Sequence, residues 1–310
     1  MDALINVIAP VFGIILTGYL AGYFQVLGAD SAAALNKFVY FFALPPVLFV
    51  FTARAPIDKV LNWPFIGAVL GGSALTLLIC VIAGRAWFRH DLPALSVQGL
   101  TSVFANTAYM GVPLLLTVFG PDGALPAIVA TLSANTLLIG GAIAALETSR
   151  ATGRTPAGVL AHVSQTLVRS PLLIAPFLGI AFSYFALPIP KPIGNYLDLL
   201  SASAGPTALF AMGLSLVGQQ LRGDLHEVVW LVILKLIVHP VLTYVLATRV
   251  FSMEPLWWQA AVLLAALPIG ATVYVIAQQY DVFVQRASTT IVVSTALSIA
   301  TISLFVIWFR

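Results

Sequence analysis

Two stretches of this chain put helix-breaking residues beside polar side chains inside apolar sequence. The first is Asn106-Thr107-Ala108-Tyr109-Met110-Gly111-Val112-Pro113, and the second is Ala266-Leu267-Pro268-Ile269-Gly270-Ala271-Thr272-Val273-Tyr274. Pro removes a backbone donor and Gly weakens a helix, so both segments are expected to unwind. At membrane depth, unwound backbone is tolerated only where protein or a water-filled cavity covers it. Matching interruptions in two related halves point to the binding site of a secondary transporter. Asn106 is the leading substrate contact, because its amide NH2 suits a carboxylate oxygen. The same amide could cap the broken helix, and the two roles can coexist. Thr107 stands beside it, and Thr272 is its near counterpart in the second stretch, although such hydroxyls often bond their own backbone. Tyr109 and Tyr274 either line the cavity or pack. Gly111, Pro113, Pro268 and Gly270 should shape a crossing of the two breaks, the plain alternative being an ordinary proline kink.

Lys235 and His239 are spaced i, i+4 and share a helix face. An ionisable pair inside a span is a candidate substrate contact, but Lys235 could snorkel and His239 could bond backbone freed by Pro240. Asn135 and Ser133 face a cavity or hold helices together. Asn36-Lys37 either reaches a vestibule or anchors its span on the cytoplasmic side. The eleven carboxylates all fall at or near expected span ends. That argues against a cation antiporter built on mid-membrane aspartates and leaves room for an anionic substrate held at helix N-termini. No P-loop, H-E-x-x-H, G-x-S-x-G or Cys/His cluster is present, so no enzyme, metal site or cofactor is expected.

The elements that must carry these residues follow from composition. Of 310 residues, 60% are hydrophobic and 8% charged, and mean hydropathy is +1.03. Such a chain is a polytopic helical membrane protein whose partner is the lipid bilayer. A net charge of +3 signals no nucleic-acid partner, and the single Cys80 allows no internal disulfide. The first apolar segment lacks a basic leader, so it is expected to be retained as a helix. Ten spans are expected, at 4–24, 32–53, 64–87, 94–118, 123–147, 168–187, 192–218, 227–250, 256–279 and 285–309. Gly18-x-x-x-Gly22 and Gly67-x-x-x-Gly71 have helix-packing spacing.

The halves resemble each other. Ile8-Ala9-Pro10-Val11-Phe12-Gly13-Ile14 recurs 166 residues on as Ile174-Ala175-Pro176-Phe177-Leu178-Gly179-Ile180. Asn106-Thr107-Ala108-Tyr109 aligns with Ala271-Thr272-Val273-Tyr274 at an offset of 165, and Pro46 with Pro206 at 160. This divides the chain into a five-helix repeat at 1–147, a short cytoplasmic linker at 148–167 and a second repeat at 168–310. Five is odd, so the second repeat is inserted upside down. Lys and Arg counts of eight against five put the linker in the cytoplasm and both termini outside.

These residues resemble the auxin efflux carrier family, which includes the plant PIN-FORMED carriers and bacterial members. Asn106 to Leu115 is similar to the plant N-T-x-x-M-G-[IV]-P-L-L segment, and Ala265 to Gly270 to A-A-L-P-x-G. Asn36-Lys37-Phe38-Val39 with Phe42-Ala43-Leu44-Pro45 resembles the second span, and Leu209-Phe210-Ala211-Met212-Gly213-Leu214 the seventh. The resemblance implies a 5+5 inverted repeat related to sodium/proton antiporters and bile-acid transporters. Helices 1, 2, 6 and 7 would be scaffold. Helices 3–5 and 8–10 would be the transport unit, with helices four and nine broken and crossing. It also implies an organic-anion cargo, auxin-like or a small carboxylate such as malonate or malate, bound beside the crossing and moved by an elevator motion. A proton or sodium coupling ion, a homodimer and the bacterial inner membrane belong to the same set of expectations. The plant A-K-E-Y reads Ala277-Gln278-Gln279-Tyr280 here, and the second repeat lacks an Asn matching Asn106. Both departures favour a bacterial-type carrier of small acids over auxin. The alternatives are a sodium-coupled symporter like the bile-acid carriers, with Asn135, Ser133, Thr107 and Gln278 as oxygen ligands, and a membrane sensor that does not transport.

Overall fold

The computed structural model describes residues 9–149, 158, 164–165, 168–218 and 224–309, so the expected linker falls largely outside the described residues. Apart from one isolated bridge, the regular structure among the described residues is helical. The helices are α1 (Ala9–Tyr23), α2 (Asp30–Arg54), α3 (Trp63–Ala86), α4 (Leu92–Val103), α5 (Val112–Phe119), α6 (Ala124–Ser133) and α7 (Gly140–Ser149). They continue as α8 (Pro171–Tyr184), α9 (Lys191–Ser215), α10 (Leu225–Val250), α11 (Pro255–Ala265), α12 (Thr272–Tyr280) and α13 (Val284–Trp308). Six helical runs are long and apolar enough to cross a membrane: α2, α3, Thr107–Ser149, α9, α10 and α13. The chain is therefore a polytopic membrane protein.

Local chemistry sets the helix starts. The Asn62 side chain accepts from Phe65 N at 3.0 Å and caps α3, and Asp91 accepts from Ala94 N at 3.1 Å and caps α4. Both helices carry Pro in the first turn, where the missing N–H would be unpaired anyway. Hydroxyls inside apolar helices are satisfied one turn back, as in Thr76 to Gly72 O at 2.8 Å and Thr101 to Val97 O at 2.7 Å. The expected fourth span is found as α4, a break and α5, and the expected ninth as α11, a break and α12.

Two sets of helices make the closest pairwise contacts, and the two sets also meet along a shared boundary. α2 lies along α8 and α9, and α1 lies along α9. α3 packs on α4 and α10, and α10 on α11 and α13. The α1–α9 contact depends on small residues. A Cβ on Gly213 would stand 2.9 Å from Tyr19 N and 2.7 Å from the carbonyl carbon of Ile15. The chains approach as backbone on backbone, the contact expected of small residues in membrane helices. Gly141, by contrast, meets nothing within 4 Å. Replacement Gly213→Val is therefore expected to lower the thermal midpoint of the purified protein by several degrees, and Gly141→Ala to leave it unchanged or slightly higher. A scan of both variants in detergent checks this.

Candidate functional site

The polypeptide leaves helical geometry after Val103 and again after Ala265, and the two unwound stretches meet. Ala105 and Ile269 form an antiparallel bridge. Asn106 N donates to Pro268 O at 2.9 Å, and Gly270 N donates to Phe104 O at 3.0 Å. Each break thus satisfies the other's backbone, which lipid could not do. Ile269 N donates to the Ser294 hydroxyl of α13 at 3.3 Å. Asn106 O accepts from Met110 N at 3.1 Å and Gly111 N at 3.0 Å, which starts the π turn Thr107–Gly111 that leads into α5.

The break lies at 104–106, so Gly111 and Pro113 sit in the helix that follows it. Gly111 packs against the other half, because a Cβ there would be 2.8 Å from Leu264 Cδ2 and 3.0 Å from Leu267 Cδ1. Pro113 is in the first turn of α5, and a Cβ on Gly205 of α9 would come within 3.2 Å of it. Pro268 lies in the second break and contributes the acceptor of the cross-pair. Gly270 is required by close approach, since a Cβ would lie 2.8 Å from Phe104 Cε1 and 3.4 Å from Ala105 O.

Asn106 is 8% exposed. Its Nδ2 points across the boundary between the two helix groups to Met212 Sδ of α9, 3.6 Å away, and a thioether is a weak acceptor. Tyr109, half-buried, directs its hydroxyl at Asn36 O of α2 at 3.5 Å. On the same side Asn36 Nδ2 donates to Ser215 Oγ at 3.3 Å, and the Tyr40 and Ser170 hydroxyls lie 3.3 Å apart. Asn106 and Tyr109 therefore share a boundary lined by neutral hydrogen-bonding groups. Thr107 faces elsewhere, with its hydroxyl 2.9 Å from that of Thr131 on α6. Tyr274 accepts from Gln278 Nε2 at 2.7 Å within α12, and Thr272 is exposed at that helix's first residue. Asn135 lies in the π turn Ala134–Ile139, but its side chain falls outside the described residues.

Lys235 and His239 are buried on α10, where Lys235 reaches the end of α11 and His239 reaches α3. Lys235 Nζ donates to Ala265 O, the last residue of α11, and lies 3.3 Å from His239 Nδ1. His239 Nε2 is 3.1 Å from Ser73 Oγ, which donates to Val69 O at 2.9 Å. With the lysine donating, Nδ1 accepts and Nε2–H donates to the serine, a consistent chain. A cation at a helix C-terminus is favoured by the free carbonyls there. Lys235 thus does not snorkel; it caps the broken helix. Gln98 and Glu227 belong to a further buried cluster that apolar patterning could not bring together, although a glutamine within span four was the visible signal. A cavity of about 250 Å³ opens between α3, α4 and the α6–α7 run, lined by Leu77, Leu92, Leu100, Leu137 and Ala142 among others. Its apolar wall suits no carboxylate, and it does not include the crossing.

Comparison with known proteins fits this architecture. A family profile described as "Membrane transport protein" matches residues 3–306. The chain belongs to that family. It is 31% identical over 303 residues to a Rhizobium meliloti protein named "Putative malonate transporter", an alignment covering 98% of this chain and 95% of the relative. An uncharacterised transporter of Methanothermobacter thermautotrophicus is 27% identical over 312 residues, with 96% of both chains covered. The lysosomal cholesterol signaling protein of Mus musculus is 27% identical over 310 residues, which span 93% of this chain and 35% of the mouse protein. The family member is thus a membrane transport protein of the type to which the auxin efflux carriers belong.

The close fit at Gly270 gives a direct check. Gly270→Ala should displace the Phe104 ring and destabilise the protein by roughly 1–3 kcal/mol, the usual cost of overpacking. The double variant Gly270→Ala/Phe104→Leu should recover part of that loss. Thermal unfolding of the single and double variants measures the coupling, and strict additivity would mean that the ring does not set the approach.

Proposed function

We propose that this protein is a secondary carrier of small organic anions, with a substrate carboxylate held at the crossing beside Asn106. Ten spans form two five-helix repeats of opposite orientation. α1, α2, α8 and α9 make the scaffold, and the remaining helices make the transport unit that slides against it. Met212, Asn36 and Ser215 then lie on the fixed wall, and Asn106 and Tyr109 on the moving one.

The observation that carries this reading is the Asn106 amide. It is buried at the boundary, and its recorded acceptor is a thioether sulfur. A buried amide donor without a strong acceptor is costly to leave unmade, and a carboxylate oxygen would complete it. In this reading the amino ends of the helical runs beginning at Thr107 and Thr272 supply further donors and positive dipole ends for the anion. Lys235 serves the reading as a second-break cap rather than as a substrate contact. The relative named for malonate supports a small dicarboxylate over a bulky aromatic acid. A proton or a sodium ion would drive the cycle.

Proteoliposomes loaded with the whole chain test it by uptake of labelled malonate. Asn106→Ala should cut uptake at least about 10-fold, because a hydrogen bond to a charged group contributes about 1.5–3 kcal/mol. Wild-type uptake by a folded Asn106→Ala protein would refute the assignment. Replacing Na⁺ by K⁺ separates the coupling ions, and unchanged uptake removes the sodium symporter. The mouse relative named for signaling favours one further reading, a membrane sensor; robust malonate flux would exclude it.

A further inference from the structure

Outside the crossing, one buried carboxylate gathers more partners than any span needs. Glu227, near the start of α10, is 1% exposed. Its Oε1 accepts from His90 Nε2 and from Gln98 Nε2, each at 2.6 Å, and its Oε2 pairs with Arg286 Nε at 3.0 Å. His90 stands in the α3–α4 connection, Gln98 in α4 and Arg286 in the first turn of α13. The outer partners are fixed in turn. Arg85 Nη1 donates to His90 O at 3.0 Å, and the His90 ring and the Arg286 guanidinium both lie against Phe283, at 5.7 and 5.3 Å. Gln98 turns its NH2 to the carboxylate and leaves its own buried Oε1 without a partner, against Gly84. The amide orientation is therefore dictated by Glu227.

Three helices run from this hub to the crossing. Gln98 is six residues before Phe104, whose carbonyl accepts from Gly270 N. Glu227 is eight residues before Lys235, which donates to Ala265 O. Arg286 is eight residues before Ser294, which accepts from Ile269 N. Eight helical residues span about 12 Å. Each helix thus has one residue on the carboxylate and, further along, one contact with an unwound strand or with the helix end that leads into it.

We propose that Glu227 is a positioning residue for the crossing, fixing the relative placement of the two breaks without touching substrate. The inference rests on the crossing being the substrate site. Buried ion pairs are a poor source of net stability, because desolvation offsets their attraction, and in some proteins they are retained for the geometry they specify. A positioning residue sets substrate affinity, whereas a simple staple would set only stability.

Two readouts test this. One is the KM for malonate uptake in proteoliposomes. The other is independent of substrate: the disulfide yield between Ala105→Cys and Ile269→Cys in a Cys80→Ser background. The two cross-strand hydrogen bonds flank the 105–269 pair, which makes it a non-hydrogen-bonded pair with Cα atoms about 4.5 Å apart, within disulfide reach. Glu227→Gln should raise KM about 10-fold and lower the disulfide yield several-fold in a monodisperse protein. Gln98→Leu should act in the same direction, and His90→Gln less strongly. Unchanged KM and unchanged yield in folded Glu227→Gln, or in Gln98→Leu if the first variant fails to fold, would overturn the proposal. So would a loss of thermal stability with neither readout altered. If Asn106→Ala transports normally while Glu227→Gln still lowers the yield, the hub stands and the substrate assignment falls.

Discussion

A helix that stops inside an apolar slab leaves backbone donors and acceptors that lipid cannot satisfy. Here two such interruptions solve the problem for each other. Asn106 N and Gly270 N reach across to Pro268 O and Phe104 O, and Ala105 pairs with Ile269. Much else at the centre follows from that short antiparallel contact. Gly270 must lack a side chain so that the Phe104 ring can lie against it. Ser294 takes up an N–H that the pairing leaves over. Lys235 is drawn to the carbonyl end of α11, because a helix terminated in the interior presents a partial negative charge there.

Close glycine contacts and polar ties both hold the surrounding helices together. α1 and α9 touch through Gly18 and Gly213, where side chains would collide with backbone. The bidentate pair of Arg54 with Asp198, at 3.0 Å, joins α2 to α9 at an exposed end and contributes little on its own. The group containing the breaks carries Glu227, Gln98, Arg286 and the Tyr280–Glu147 contact at 2.7 Å. Under the proposed reading these ties have a purpose. A unit that moves as one body needs internal ties that do not depend on its sliding face.

The helical, membrane-embedded class was legible from composition, and the two interruptions from Pro and Gly in long apolar runs. Their positions were legible only to within a turn. Pro113 and Gly111 mark the vicinity, but a proline in the first turn of a helix is comfortable, so the chain unwinds upstream, at Phe104 to Asn106. Asn106 stood out as polar sequence at a break. What it faces did not, because Met212 is 106 residues away and carries no local signal. Thr107 stands beside Asn106 in the sequence, yet one residue's step around the helix turns it to Thr131. The Glu227 cluster was hidden for the same reason: four residues from four elements meet only once the helices are packed. In the sequence Glu227 is one of eleven carboxylates at or near span ends, with nothing local to mark it as buried.

The central claim is that the Asn106 amide awaits a carboxylate. It is tested most directly by the thermal stabilisation of the purified protein by malonate, because a ligand that binds only the folded state must raise its stability. The account predicts a concentration-dependent rise in melting temperature for the wild-type protein and none for Asn106→Ala at the same concentrations. An equal rise in both proteins would contradict it and move the anion site away from the crossing.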